Sequence, residues 1–300
     1  MTLIELARLR TIALRSEGRS PRTIEQLEVS LKRFLKYLGT QGDIPCAEAI
    51  SATHLRAFAL RLAADGLQPS SQSFHVRALR ALFRWAHLEE LLDSNPGERV
   101  RPPKVPRKIV PAPDDSQIKA LIESSRRSRQ PMRNVAIVSL LYDAGFRASE
   151  ILGLELEDIN WDFQQVRIRH GKGDKERVVP VGFQSLRALA RYVHKERQAP
   201  LAVKAVFIGR ERAPFTYTGL LQLIRRLARD AGLGIMSPHK LRHGFARAFL
   251  RNGGDVFSLQ RILGHTTLEM SRRYVELAFE DVQHKHQGAS PMDRLGKARY

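Results

Sequence analysis

The sequence predicts a mainly α chain of the α+β type in two modules: a helical N-terminal domain, then a mixed domain of helices with one small antiparallel β-sheet. Three observations carry this. Apolar residues recur at helical spacing through the first ninety or so positions, a proline-rich basic stretch follows, and beyond it two short alternating segments flank a glycine turn. With 300 residues, 43% of them apolar, the chain can build a core in each module.

In the first module, residues 1–95, Ser20-Pro21 open a helix as cap and first-turn proline, with Ile24, Leu27, Leu31, Phe34, Leu35 and Leu38 on one face and Gly39 as its stop. A second helix runs from about Ser70 to His87. Val76, Leu79, Phe83 and Ala86 form its buried stripe, and Arg77, Arg80 and Arg84 line another face, which either follows a DNA backbone or is simply solvated. Residues 96–113 hold Pro96, Pro102, Pro103, Pro106, Pro111 and Pro113 among five basic residues, which excludes a helix and reads as an extended tether.

The second module, residues 114–300, opens on a helix capped by Asp114 or Asp115, and the apolar run Val135 to Tyr142 is a core helix. Val166 and Ile168 alternate with polar residues, Gly171-Lys172-Gly173-Asp174 supplies a turn, and Arg177 to Val181 has strand character: a hairpin, with Pro180 at a strand end or sheet edge. Helical periodicity resumes after Gly182, with breaks at Pro200, Pro214 and from Gly232 to Pro238.

A net charge of +19 suits a protein that sits on a polyanion, and both modules share it: 18 basic against 11 acidic residues to Pro113, and 32 against 20 beyond. Nucleic acid is the expected partner. A long apolar span and an N-terminal signal pattern are both missing, so a membrane is not expected and the location expected is the cytoplasm, on the nucleoid. The single cysteine, Cys46, reads as a small buried side chain without a role.

Chemistry is concentrated in a few segments. Arg147 directly follows the glycine turn Asp143-Ala144-Gly145-Phe146, and Glu150 falls in the first turn of the helix that starts there. Lys172 lies in the hairpin, with Lys175 close enough to compete for its assignment. Then come His239-Lys240-Leu241-Arg242-His243, Leu263-Gly264-His265 and Tyr274. Arginine forks match phosphate oxygens, and a phenol becomes a nucleophile only where cations favour the phenolate. His239 and His243 also have the spacing of a zinc-protease helix, but that site needs glutamate where Lys240 stands.

In order and spacing these segments resemble the tyrosine recombinase, or phage integrase, family, in its compact two-domain Xer-like form. The resemblance spans the chain. It implies an N-terminal helical core-binding, SAM-like domain and a C-terminal catalytic domain. It also implies that Tyr274 attacks a DNA phosphate to give a 3′-phosphotyrosyl link, that Arg147 and Arg242 clamp the phosphate, and that Lys172 protonates the leaving 5′-oxygen. His239 and His265 either donate to nonbridging oxygens or move the tyrosine proton. Glu150 orients Arg147 or stabilises its helix start, and His243 reads as structural. Neither a metal nor another cofactor is implied, because the phosphotyrosyl bond conserves the energy of the broken diester. The implied partner is double-stranded DNA with paired recombination sites, bound by a homotetramer, with the segment Val275 to Gln287 a candidate for docking on a neighbouring protomer.

Two positions depart from the family pattern. Ala144 stands where threonine is common, and Glu276 where many Xer-type members carry histidine two residues after the nucleophile. The second, with the tail from Phe279, favours a recombinase of a mobile element over an Xer-type dimer resolvase. No additional N-terminal arm-binding domain is expected. The alternatives from other classes are a DNA-binding regulatory or architectural protein, which has no physical reason to keep the full residue set, and a type IB topoisomerase, against which the compact architecture argues.

Overall fold

The structure is a computed structural model that describes residues 1–42, 46–106, 112–169, 176–200, 202–209, 212–264, 290 and 292. It divides into two compact units after Ile109.

The first unit consists of α1 (Leu3–Ser16), α2 (Pro21–Gly39), α3 (Ala52–Ala64) and α4 (Pro69–Leu88). Thr2 and Glu5 form a reciprocal capping box on α1, and the Ser20 hydroxyl accepts from Thr23 N–H at the start of α2. Leu27, Leu31, Phe34 and Leu38 of α2 and Val76, Leu79, Phe83 and Ala86 of α4 are buried in one core with Leu6 and Phe58. Phe34 and Phe58 meet edge to face, 5.0 Å between centroids. Inside it, Ser30 and the ring of His75 share a 3.0 Å hydrogen bond.

The expected tether does not begin at Pro96. Val100 is buried in this first core, the Gly97 carbonyl accepts from Arg80 Nε at 2.9 Å, and the Arg99 carbonyl accepts from Arg56. Burying one valine and satisfying two carbonyls orders what composition alone marks as extended. Cys46 also corrects the expectation: it is exposed, since it caps a short 3-10 turn, Ala47–Ala49, whose Ala47 takes the core position instead.

The second unit begins with α5 (Asp115–Arg126), where Asp114 is the cap and accepts from Gln117 N–H at 2.8 Å. Next comes α6 (Pro131–Asp143), whose Ala136, Ile137, Val138, Leu140 and Leu141 are buried. The five-residue α7 (Ala148–Leu152) follows. The sheet is antiparallel in the order β1 (Ile159–Asn160), β2 (Gln165–Ile168), β3 (Arg177–Pro180). Val166 pairs with Val179, Ile168 with Arg177, and Gln165 with Pro180 at the strand end. Of the three strands described, only β1 escapes sequence reading, because two residues show no period. The remaining helices described are α8 (Phe183–Lys195), α9 (Tyr217–Asp230), α10 (Pro238–Arg251) and α11 (Val256–Leu263). Between α8 and α9 the chain is held by Arg197, whose guanidinium donates to the carbonyls of Val203, Ala205 and Val206. No helix among the described residues is long and apolar enough to cross a membrane.

Candidate active site

The site is organised around a carboxylate. Glu150 sits in the first turn of α7, its side chain 1% exposed, and each of its oxygens receives two hydrogen bonds. Oε1 accepts from Arg147 Nη1 at 2.6 Å and Arg177 Nη1 at 2.9 Å; Oε2 accepts from Arg147 N–H and Arg177 Nη2, both at 2.8 Å. Arg242 Nη1 approaches Oε2 to 3.9 Å. Burial pushes the Glu150 carboxyl up, but the Arg177 fork, the Arg147 N–H and the two guanidinium charges together outweigh it and hold the group below its ordinary value. It is a permanent anion that gathers cations.

Two left-handed glycines shape the frame. Gly145, at φ +61°, turns the chain from α6 into α7, and a Cβ there would lie 2.4 Å from the Phe245 ring. Gly264 closes α11 at φ +62°. Their turns aim carbonyls inward. Arg242, buried on α10, donates through Nη1 to the Gly145 carbonyl at 2.5 Å and through Nη2 to the Leu263 carbonyl at 2.6 Å. Arg147 Nη2 reaches the Gly264 carbonyl at 3.3 Å. Of the three arginines, Arg147 is the most open, 24% exposed against 13% for Arg177 and 5% for Arg242.

On α10, the first turn brings His239 beside this cluster, after Ser237 has capped the helix through Lys240 N–H. Burial, then the charges of Arg242 and Arg147, push the His239 imidazole down. At neutral pH it is therefore uncharged, with one ring nitrogen donating and one accepting. Its Nε2 lies 2.8 Å from His243 Nε2, so one of the two carries the shared proton. The Lys240 side chain turns away to the Ile235 carbonyl. Among the described residues no group of three His, Cys, Asp or Glu is placed to hold a metal ion.

Of the residues expected from sequence, Arg147, Glu150, His239 and Arg242 are brought together. Lys172, His265 and Tyr274 lie outside the described residues, as does Val275 to Gln287. In the first unit, Arg77 and Arg84 are exposed on α4, whereas Arg80 is partly buried and holds Gly97. Tyr142 is half-buried and donates to Asp115 Oδ1 at 2.8 Å, its phenol pushed up to about 12 by burial and that carboxylate. Tyr192 is buried, its oxygen accepting from Ile208 N–H. Neither phenol is presented as a nucleophile. Arg177 was not anticipated, although a signal exists: along β3 it shares the inward face with buried Val179, where a charge requires a partner. A cleft of about 1000 Å³ lined by Arg129, Arg133, Tyr192, Phe215 and Arg226 contains none of Arg147, Glu150, Arg177, His239 and Arg242, so concavity is no guide to the charged cluster.

The arrangement suits an anion bearing several oxygens, for which two arginine forks and a neutral imidazole supply donors already oriented by an internal carboxylate. Known proteins resemble the chain over most of its length. The phage integrase family profile matches residues 114–281, and the profile of the phage integrase N-terminal SAM-like domain matches residues 11–90. Tyrosine recombinase XerC of Myxococcus xanthus is 30% identical over 287 residues, covering 92% of this chain and 93% of its own. Tyrosine recombinase XerA of Thermococcus kodakarensis is 30% identical over 279 residues, 93% of each. In fold, the chain is similar to the Tn1549 transposon integrase solved in complex with transposon right end DNA, with a TM-score of 0.77 at 17% identity over 97% of this chain and 100% of that one.

Proposed function

The chain belongs to the phage integrase family and is a tyrosine-type site-specific recombinase, and we propose that it cuts and rejoins duplex DNA with Tyr274 as nucleophile. The Tyr274 oxygen attacks the scissile phosphorus, the bond to the 5′-oxygen breaks, and a 3′-phosphotyrosyl link remains. Lys172 gives the departing 5′-oxygen its proton. Arg147 and Arg242 offset the charge that builds on the nonbridging oxygens, and His239 and His265 donate to the same oxygens or take the tyrosine proton. Attack by a second 5′-hydroxyl reverses these steps and reseals the strand, so no metal or nucleotide takes part.

The observation that supports this reading is the convergence on buried Glu150 of Arg147 and Arg177, with Arg242 and His239 alongside. Three guanidinium groups about a single carboxylate leave an excess of positive charge that suits a further anion. A scissile phosphate is that anion. The proposed partner is double-stranded DNA carrying paired recombination sites, bound by a homotetramer, with Arg77 and Arg84 of α4 contributing backbone contacts.

We assign the biological role to a mobile element on the strength of Glu276, which replaces a histidine common two residues after the nucleophile in Xer-type members. Dimer resolution is the second reading, favoured by the 30% identity to XerC and XerA proteins across the chain. The test of the chemistry uses a library of duplexes nicked beside one phosphate and randomised around it, so that no target need be known. Wild-type protein is expected to yield a denaturant-resistant adduct whose DNA identifies the site, and Tyr274→Phe none. An adduct of undiminished yield with Tyr274→Phe overturns the assignment.

A further inference from the structure

We propose that Arg177 is a positioning residue for strand cleavage, which holds Arg147 in place through Glu150; the inference rests on the assignment of Arg147 and Tyr274 above. Arg177 opens β3, five positions after Lys172 in the sequence. Its fork lies on Glu150 in bidentate geometry, Nη1 to Oε1 at 2.9 Å and Nη2 to Oε2 at 2.8 Å. The same two oxygens take the Arg147 side chain and main chain. Each carboxylate oxygen is thus shared between one bond from Arg147 and one from Arg177, and neither arginine shifts without turning the carboxylate under the other.

A third segment joins the lock. Arg177 Nε donates to the Ile262 carbonyl at 3.0 Å, and its guanidinium lies against Gly264, where a Cβ would stand 3.1 Å from Cζ. Gly264 in turn offers its carbonyl to Arg147. One side chain therefore ties the sheet, the start of α7 and the end of α11 together. Its three nitrogens donate inside the protein, two of them to the carboxylate that also takes Arg147, so its effect on the phosphate passes through Arg147.

Replacing it with glutamine removes two of the four bonds that orient Glu150 and lets the Arg147 fork drift. A clamp displaced by about 1 Å loses on the order of 100-fold in rate. The experiment uses full-length protein and the nicked duplex captured as described above, with adduct formation timed at saturating DNA. Arg177→Gln is expected to slow it roughly 100-fold and Arg177→Lys, which keeps the charge but not the fork, roughly tenfold, with DNA affinity unchanged in both. A methylphosphonate at the scissile position removes the nonbridging charge that the clamp serves. On it the Arg177→Gln deficit is expected to shrink in step with that of Arg147→Ala, and the double variant to be no slower than Arg147→Ala alone.

Wild-type rate in Arg177→Gln overturns the proposal. So does a deficit equal on both substrates, which is what a mere loss of folded protein produces, or one that multiplies with that of Arg147→Ala. Should the glutamine variant not fold, Arg177→Lys supports the same comparison. Absence of a wild-type adduct is a different failure, that of the nucleophile assignment, and is seen before any variant is compared.

Discussion

A methyl group added at Gly145 tests the frame of the site without any DNA. Gly145 has φ +61°, where an L side chain costs about 1–2 kcal/mol, and its added Cβ would stand 2.4 Å from Phe245 Cδ1 and 2.9 Å from Leu263 Cδ2. Relief of such overlap in a packed core costs a further 1–3 kcal/mol or so. Gly145→Ala is thus expected to destabilise the second unit by about 3 kcal/mol, which in a domain of this size lowers its melting temperature by roughly 6–12 °C. Scanning calorimetry of the full chain reads this directly. In a Phe245→Val background no ring stands against position 145 and only the Leu263 contact remains, so the added cost of alanine should fall toward the backbone share of about 1–2 kcal/mol. Since the Gly145 carbonyl also anchors Arg242, the variant should lose cleavage beyond its loss of stability. Melting within about 2 °C of wild type would refute the reasoning.

Three further outcomes follow from other contacts. Glu150→Gln leaves Arg147 and Arg177 facing a neutral amide in a buried place and should cost about 3–5 kcal/mol, measured by urea denaturation; a loss below about 1 kcal/mol contradicts the role of Glu150 as anchor. Val100→Ala should lower the transition of the first unit by about 1–2 kcal/mol while leaving that of the second unmoved, and no change at all would return residues 96–100 to the tether. The imidazoles of His75, pushed down by burial and Arg33, and of His239 titrate below the ordinary value of about 6.5 in the folded chain. The folded protein then binds fewer protons than the unfolded chain just below that value. Stability is full above about pH 6.5 and declines on acidification through the depressed values, and a His75→Asn/His239→Asn protein should show a flatter profile by thermal melts across that range; an unchanged slope rejects the assignment.

Much of this site was legible because its residues stand at positions that local sequence marks. Arg147 follows a glycine turn, Glu150 falls three residues on, where a helix start accepts an acid, and His239 and Arg242 share the first turns of a helix opened by Ser237-Pro238. The family resemblance supplied their roles, and the structure brings these four together from α7 and α10. What sequence reading missed are partnerships across long separations. Arg80 reads as one of three arginines on a solvated or DNA-facing stripe, yet its Nε is engaged by a carbonyl seventeen residues on, a contact that no periodicity encodes. Arg177 is more instructive. Its strand alternates, so its place on the inward face beside Val179 was readable, and a charge on an inward face has to meet an opposite charge or a set of carbonyls. Glu150, an acid in a helix start already rich in apolar neighbours, was the natural counter-charge 27 residues away. Pairing inward-facing charges by this rule leads from Arg177 to Glu150, the carboxylate that also orients Arg147, and so to a residue that shapes the site without local sequence marking it.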